Sequence, residues 1–323
     1  KLGKSIMDLA IDAKCDTLLF QIQSETRGLD WESEDGTTSL TQAAKYGRVD
    51  QIISIVDKGG KGVINQETRG GTTPLLEACK GAHVDAVQAL LHRGADVNRL
   101  SKYGTNAFLT SAKANHGESH RTTLEALKEA GAELNMHNSE GKTALMAARS
   151  DKELSTVTIL LEIGASATHQ VPGAPSPLAY AAEHCSVELF KVVLARTSLD
   201  EVNSEGHTSL MLAAIGNNGE NLSYILDQNP SVDMESQFGE NALSLAATHS
   251  SLDAIEILAQ RGALMDKVLK DGNTALVRAI QNDNLDSVRK LIECKAMINF
   301  ACGKDLQSPL MIAVKYQKLD MVR

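Results

Sequence analysis

Apolar and polar positions repeat along this chain in the same order ten times, with a period near 33 residues. The pattern opens at Gly3, Gly36, Gly71, Gly104, Gly141, Ala174, Gly206, Gly239, Gly272 and Leu306. The gaps between these openings are 33, 35, 33, 37, 33, 32, 33, 33 and 34 residues. Taking each opening residue as position zero, position +2 is always Ser, Thr or Asn: Ser5, Thr38, Thr73, Asn106, Thr143, Ser176, Thr208, Asn241, Thr274 and Ser308. Such a side chain accepts a backbone N–H at the start of a helix. Position +3 is proline at Pro74, Pro177 and Pro309, in the first turn, where a missing N–H costs nothing. Position +4 is Leu, Met or Phe, and position +7 is Ala in nine units and Ser111 in the tenth. The +4 and +7 positions share one face of a helix, and alanine at +7 lets a neighbouring helix approach closely. A short helix is therefore predicted after each +2 residue.

A second apolar run follows within each unit. Examples are Val84, Val87, Leu90 and Leu91; Val157, Leu160 and Leu161; Leu252, Ile255, Ile257 and Leu258; and Leu285, Val288, Leu291 and Ile292. These are amphipathic helices with a wider core face. Several stop at Gly94-Ala95, Gly131-Ala132, Gly164-Ala165 and Gly262-Ala263, where glycine marks a helix C-terminus. A polar linker then carries Asp30, Asn65, Asn98, Asn135, Thr168, Asp200, Asp233 or Asp266 six residues before a new unit. These side chains are expected to bond their own backbone and tighten the turn. The predicted unit is turn, helix, turn, helix. A fixed period of this length predicts stacked units that grow in one dimension, in place of a globule around one cleft.

The best-preserved unit reads Thr73-Pro74-Leu75-Leu76-Glu77-Ala78, followed by Leu90-Leu91-His92-Arg93-Gly94-Ala95-Asp96-Val97-Asn98. It resembles the ankyrin repeat, whose signature is Thr-Pro-Leu-His-x-Ala. The resemblance covers essentially the whole chain. It implies an all-α ankyrin-repeat solenoid of stacked helix-turn-helix units joined by β-hairpin-like loops, with residues 1–323 forming a single array. One departure is consistent: the signature histidine is replaced by Leu76, Ala179 and Met311 in the three proline-bearing units, which implies lower stability per repeat. The chain does not begin with methionine, and its last unit stops at Arg323 inside a second helix. Both ends are therefore expected to be cut within a repeat of a longer protein.

Composition narrows the function. Aromatic residues are only 3% of the chain, so small aliphatic side chains must do most of the packing. The net charge is −9, and no Lys/Arg stripe suited to a phosphate backbone is visible, which argues against nucleic acid. No apolar stretch reaches the roughly 18–20 residues of a membrane span. The five cysteines, Cys15, Cys79, Cys185, Cys294 and Cys302, include no Cys-x-x-Cys pair. They read as free thiols in a reducing, cytoplasmic compartment.

Apparent chemical motifs fade on inspection. Gly141-Lys142-Thr143 ends like a phosphate-binding loop, but Met136 stands where the upstream glycine must be. His116 and His120 have a helical metal-ligand spacing, yet Gly117 and Ser119 argue for a loop there, and no third ligand is near. Asn221-Leu222-Ser223 fits a glycosylation sequon, relevant only to a secreted chain. No nucleophile–base pair emerges. Neither a cofactor, a metal nor catalysis is expected.

Three units carry irregular loops: Gly59-Gly60-Lys61-Gly62, the segment Asn115 to His120, and Val171-Pro172-Gly173-Ala174-Pro175. The resemblance further implies where a partner meets the chain. In this family, partners usually touch hairpin tips and the exposed side of first helices, here positions −2, −1, +1, +9 and +10. Those slots hold Lys45 and Tyr46; Arg69 and Lys80; Lys102, Tyr103 and Lys113; Glu205 and His207; Phe238 and Glu240; and Lys315 and Tyr316, among others. Four of the eleven aromatic residues stand there, although packing does not demand them. The basic members cluster in the second to fourth units of an acidic protein. The expectation is a monomeric, non-enzymatic scaffold whose site, centred on Tyr46 and Tyr103, binds a peptide or protein surface with acidic residues. The alternative is a regulatory or targeting part of a larger enzyme or channel. Finally, Leu90, Asp96, Val97 and Asn98 match the pattern on ankyrin repeats that asparaginyl hydroxylases recognise, which makes Asn98 a candidate modification site.

Overall fold

The structure is a computed structural model that describes residues 37–59, 62–113, 118–148, 154–170, 174–302, 307–318 and 320. The unit opening at Gly3, Cys15, the loop residues Gly60, Lys61, Asn115, His116, Gly117, Pro172 and Gly173, and Leu306 lie outside them. Among the described residues the chain is all-α, with seventeen helices. First helices run Ser39–Lys45, Pro74–Lys80, Ala107–Ala112, Ala144–Ala147, Pro177–His184, Ser209–Ile215, Ala242–Thr248, Ala275–Gln281 and Pro309–Lys315. Second helices run Val49–Gly59, Val84–His92, Glu118–Glu129, Leu154–Ile163, Val187–Leu194, Gly219–Asp227, Leu252–Gln260 and Leu285–Glu293. Every described first helix begins at position +3.

The caps explain that register. Thr38, Thr73, Asn106, Ser176, Thr208, Asn241, Thr274 and Ser308 each accept the N–H three residues on. Thr143 does not: its buried Oγ1 makes no hydrogen bond, and its helix is the shortest, at four residues. The predicted core positions are filled as the pattern requires. The +7 residues Ala43, Ala78, Ser111, Ala148, Ala181, Ala213, Ala246, Ala279 and Ala313 are all buried. The +4 residues from Leu40 to Leu276 are buried too, each such side chain stabilising by about 1.5–3 kcal/mol. Leu310 is the exception at 43% exposure, since among the described residues no further first helix follows it. In the second helices Val87, Leu90, Val157, Leu160, Ile255, Leu258, Val288 and Leu291 are buried, whereas Ile257 is half-buried and Ile292 exposed.

The helices gather into two compact units. One comprises residues 1–148 with 159–165, the other residues 149–158 with 166–323, so the division falls within Leu154–Ile163. In the first, Ser39–Lys45, Pro74–Lys80, Ala107–Ala112 and Ala144–Ala147 stack in order, and Val49–Gly59, Val84–His92 and Glu118–Glu129 stack alongside them. In the second, the five first helices from Pro177–His184 to Pro309–Lys315 stack in the same way.

Within each unit, hydrogen bonds tie neighbouring repeats at two recurrent places. At position +12, a polar side chain reaches back to the last carbonyls of the preceding first helix. His83 Nε2 lies 3.0 Å from Lys45 O, Asn218 Nδ2 2.8 Å from Cys185 O, Ser251 Oγ 2.9 Å from Ile215 O, and Asn284 Nδ2 2.9 Å from Ala247 O. These are C-terminal carbonyls without a partner inside their own helix. The linker residues at −6 reach forward. Asn65 accepts from Asp96 N, Asn98 from Glu133 N, Asp233 from Leu264 N and Asp266 from Met297 N. This corrects the sequence reading: these side chains serve the following repeat, 31–35 residues away, and not their own turn. The stacked loop places that N–H nearer than any local one.

Candidate protein-binding surfaces

Six of the described loops end in a four-residue turn from −3 to zero. Gly71 N donates to Thr68 O and Thr68 N to Thr72 O; the same pair of bonds recurs at Ser101–Gly104, Asn138–Gly141, Asn203–Gly206, Ser236–Gly239 and Leu269–Gly272. The closing glycine is left-handed, as at Gly104 (φ 69°) and Gly206 (φ 79°). At both, an added Cβ would also lie within 3 Å of the next tip's backbone nitrogen, Ser139 N or Gln237 N. Residue −3 fixes the turn from inside. Ser101 Oγ accepts from Tyr103 N and Thr105 N, Asn138 Oδ1 from Glu140 N and Lys142 N, and Ser236 Oγ from Phe238 N and Glu240 N. Sequence reasoning missed this role, although Thr68, Ser101, Asn138, Asn203 and Ser236 recur at −3. Among the described residues the loops contain no strand, and isolated bridges join Val202 to Thr208 and Cys302 to Gln307.

In the first unit these turns hold Arg69, Lys102 and Tyr103 outward. Tyr103 is 59% exposed, while its carbonyl accepts from Ser139 Oγ and Ser139 N on the next tip. Lys102 Nζ stands 5.0 Å from the Tyr103 ring centre. The second group sits at the far ends of the first helices. Tyr46 caps Ser39–Lys45, Lys80 ends Pro74–Lys80, and Lys113 caps Ala107–Ala112. Lys45 Nζ and Arg48 Cζ approach the Tyr46 ring at 5.9 and 5.7 Å. The predicted residues thus form two rows, separated by the length of a seven-residue helix, about 10 Å. Lys80 pairs with Glu77 at 2.6 Å, whereas Lys45, Lys102 and Lys113 meet no carboxylate among the described residues. Arg48 joins the Tyr46 group unforeseen; its position +12 reads as polar in other repeats.

In the second unit Phe238 occupies the same tip slot as Tyr103 and is 61% exposed. Tyr316, capping Pro309–Lys315, is exposed as well. His207 departs from its slot's expected exposure: only 6% of its surface is open. It lies between Glu205 Oε2 (3.2 Å from Nδ1) and Glu240 Oε2 (3.3 Å from Nε2), and Glu240 in turn binds Arg278 at 2.9 Å. The hydrogen bond to Glu240, on the next tip, holds the ring inward.

The remaining candidates resolve differently. Ser119 and His120 belong to the helix Glu118–Glu129, with His120 buried, so the expected loop is shorter than the sequence suggested. Asn221 of the sequon is fully buried and its amide is engaged, which leaves no room for a glycan. Asn98 is half-buried; its Nδ2 donates to Gly131 O at 2.9 Å and its Oδ1 accepts from Glu133 N at 2.8 Å. Cys79, Cys185 and Cys302 are buried thiols and Cys294 half-buried. Burial pushes the Cys79 thiol up to about 12, away from the thiolate that reacts. Among the described residues no group of three or more His, Cys, Asp or Glu is arranged to hold a metal ion. Nor is any helix there long and apolar enough to cross a membrane.

A family model described as ankyrin repeats (3 copies) matches residues 6–101, 178–268 and 262–323. None of the curated proteins compared matches the chain.

Proposed function

Because the chain belongs to the ankyrin-repeat family, whose repeats mediate protein–protein interaction, we propose that it is a non-enzymatic binding module that takes an acidic, apolar-anchored peptide or protein surface on its first unit. The observation that carries this reading is the pair Tyr46 and Tyr103. Both rings are solvent-facing, both lie beside basic side chains, and Lys45, Lys102 and Lys113 lack carboxylate partners among the described residues. Tyrosine and arginine dominate binding hot spots because they bury large area at low entropic cost while offering a polar tip. Unpaired lysines add steering toward an acidic partner. Arg69 extends the tip row and Lys80 the helix-end row, the latter with its charge already shared with Glu77. Phe238 and Tyr316 offer further apolar anchors in the second unit.

The test is selection of a random 15-residue peptide library on the purified protein. Selected peptides should be rich in Asp and Glu around an apolar residue. A hot spot is worth about 2 kcal/mol, roughly 30-fold in affinity. Tyr46→Ala and Tyr103→Ala should therefore each weaken binding by that order, with circular dichroism unchanged. Peptides that bind the double variant as tightly as the parent would refute the reading.

A second observation bears on modification. The hydroxylase pattern ends on Asn98, whose two bonds to the following repeat must open before an enzyme can reach its Cβ. We read Asn98 as a substrate of an asparaginyl hydroxylase through such opening. Mass spectrometry of protein from hydroxylase-containing cells should find one added oxygen on Asn98, and its absence there would sink the assignment.

A further inference from the structure

The second unit carries an open-sided cleft of about 330 Å³ between the tip at Asn203–Gly206 and the first helices Pro177–His184 and Ser209–Ile215. Its apolar wall comes from Pro175, Leu212 and Ile215, and its acidic groups are Glu183 and Glu205, with the buried His207 beside them. The volume is at the small end for ligand sites, enough for one long side chain. We propose that this cleft binds a cationic side chain, arginine or lysine, presented by a partner peptide.

Three observations carry the proposal. The first is a deficit of permanent positive charge. Among the described residues, the one cationic partner of Glu183 is His184 Nε2 at 3.6 Å and that of Glu205 is His207 Nδ1 at 3.2 Å. Every other ion-paired carboxylate in the described second unit, apart from the Glu240 that His207 also touches, has Lys or Arg as its cationic partner: Asp227, Glu235, Asp271, Asp283, Glu256 and Glu293. Glu240 itself has Arg278. The two carboxylates served by histidine alone are the two that line the cleft. The second is that His207 Nδ1, although buried, makes no hydrogen bond, so its contact with Glu205 is poorly aligned and leaves that carboxylate open to a better donor. The third is shape. Arginine and lysine bury an aliphatic stem while keeping the charged head among polar groups, and the cleft offers an apolar wall next to carboxylates. Gly216 helps to set this up: a Cβ there would come within 2.5 Å of Glu183 O and 2.6 Å of Glu183 Cγ, so only glycine lets Glu183 lie where it does.

This site is separate from the basic, tyrosine-bearing rows of the first unit and takes the opposite charge. It stands or falls independently of them, since its probe and readout are confined to the second unit. The experiment is a titration of the whole chain with Nα-acetyl-arginine methylamide, its lysine counterpart and its neutral citrulline isostere. It is followed through the backbone amide resonances of residues 203–207 and 212–216. The arginine or lysine probe should give saturable shifts there, and citrulline none. Glu183→Gln combined with Glu205→Gln should weaken binding at least ten-fold with an unchanged melting temperature. Should that pair disturb folding, Glu205→Gln alone, at a largely exposed side chain, should still weaken it several-fold. Failure of both cationic probes to saturate, equal shifts with citrulline, or shifts that survive in the folded variants would overturn the proposal. Equal shifts spread over the first unit would mean nonspecific binding and overturn it too.

Discussion

Asn221 offers the sharpest test of how the second unit holds together. The residue is fully buried, and its Nδ2 faces three carbonyls of the preceding repeat: Ala181 O at 3.1 Å, Ala182 O at 3.0 Å and Cys185 O at 3.0 Å. Two protons serve three acceptors, so two bonds' worth of net stabilisation, about 2 kcal/mol, is at stake. Asn221→Ala also leaves a small cavity and carbonyls partly without donors, but removes Oδ1, a buried acceptor that itself has no partner. The balance is a loss of about 2–3 kcal/mol. Replacement by Leu separates packing from hydrogen bonding: it keeps the volume and loses the donors, so it should cost at least as much as Ala. Asn221→Asp should cost most, since it turns a carboxylate toward three carbonyl oxygens. The assay is thermal and urea unfolding followed by far-ultraviolet circular dichroism. At about 2–4 °C per kcal/mol for a unit of this size, Ala should lower the second unit's midpoint by about 5–10 °C. A Leu variant as stable as the parent, or an Ala variant within about 0.5 kcal/mol of it, would refute the reasoning.

Three further outcomes follow from the same structure. Gly47→Ala should destabilise by at least about 1–2 kcal/mol, since φ is 66° and the new Cβ would lie 2.7 Å from the His83 ring; the His83→Ala background should recover only the steric part. Thr208→Val should cost about 1 kcal/mol through loss of the bond to Met211 N, whereas Thr143→Val, where no such bond exists, should stay within about 0.5 kcal/mol by urea unfolding. Cys79 should resist thiol reagents in the folded state. Its folded pKa is raised above the unfolded value of 9.0, so it costs nothing below pH 9. Stability should then fall by about 1.4 kcal/mol per pH unit as pH rises from 9 towards 12, a slope that Cys79→Ala should reduce.

Much of the fold was legible because it is written in residue types with one physical use. A hydroxyl or amide at +2 starts a helix, and alanine at +7 allows close stacking; both placed the first helices to the residue. Thr143 shows the limit: its type fits the cap, but the local backbone does not bring Oγ1 to an N–H. The −6 residues were seen, yet their partners were misjudged, because a sequence shows neighbours along the chain and not those one period away. His207 failed for the same reason: its burial depends on Glu240, 33 residues on. The candidate surface of the first unit was visible as misplaced aromatics and lysines. The cleft of the second unit was not, since what distinguishes Glu183 and Glu205 is which cations fail to reach them.

The links at +12 carry a lesson for recombination of the gene. The group that finishes one first helix is encoded in the following repeat, so no cut isolates a repeat with all of its own bonds. A cut in phase with the period does better. Removing residues 239–271, one full period, would bring Asn284 to the slot that Ser251 now fills opposite Ile215 O, exchanging one donor for another. A deletion one residue longer would bring Leu285 there instead and leave that carbonyl without a side-chain donor. Gain or loss of whole periods thus preserves these bonds, and the length of the array is free to change in steps of one repeat.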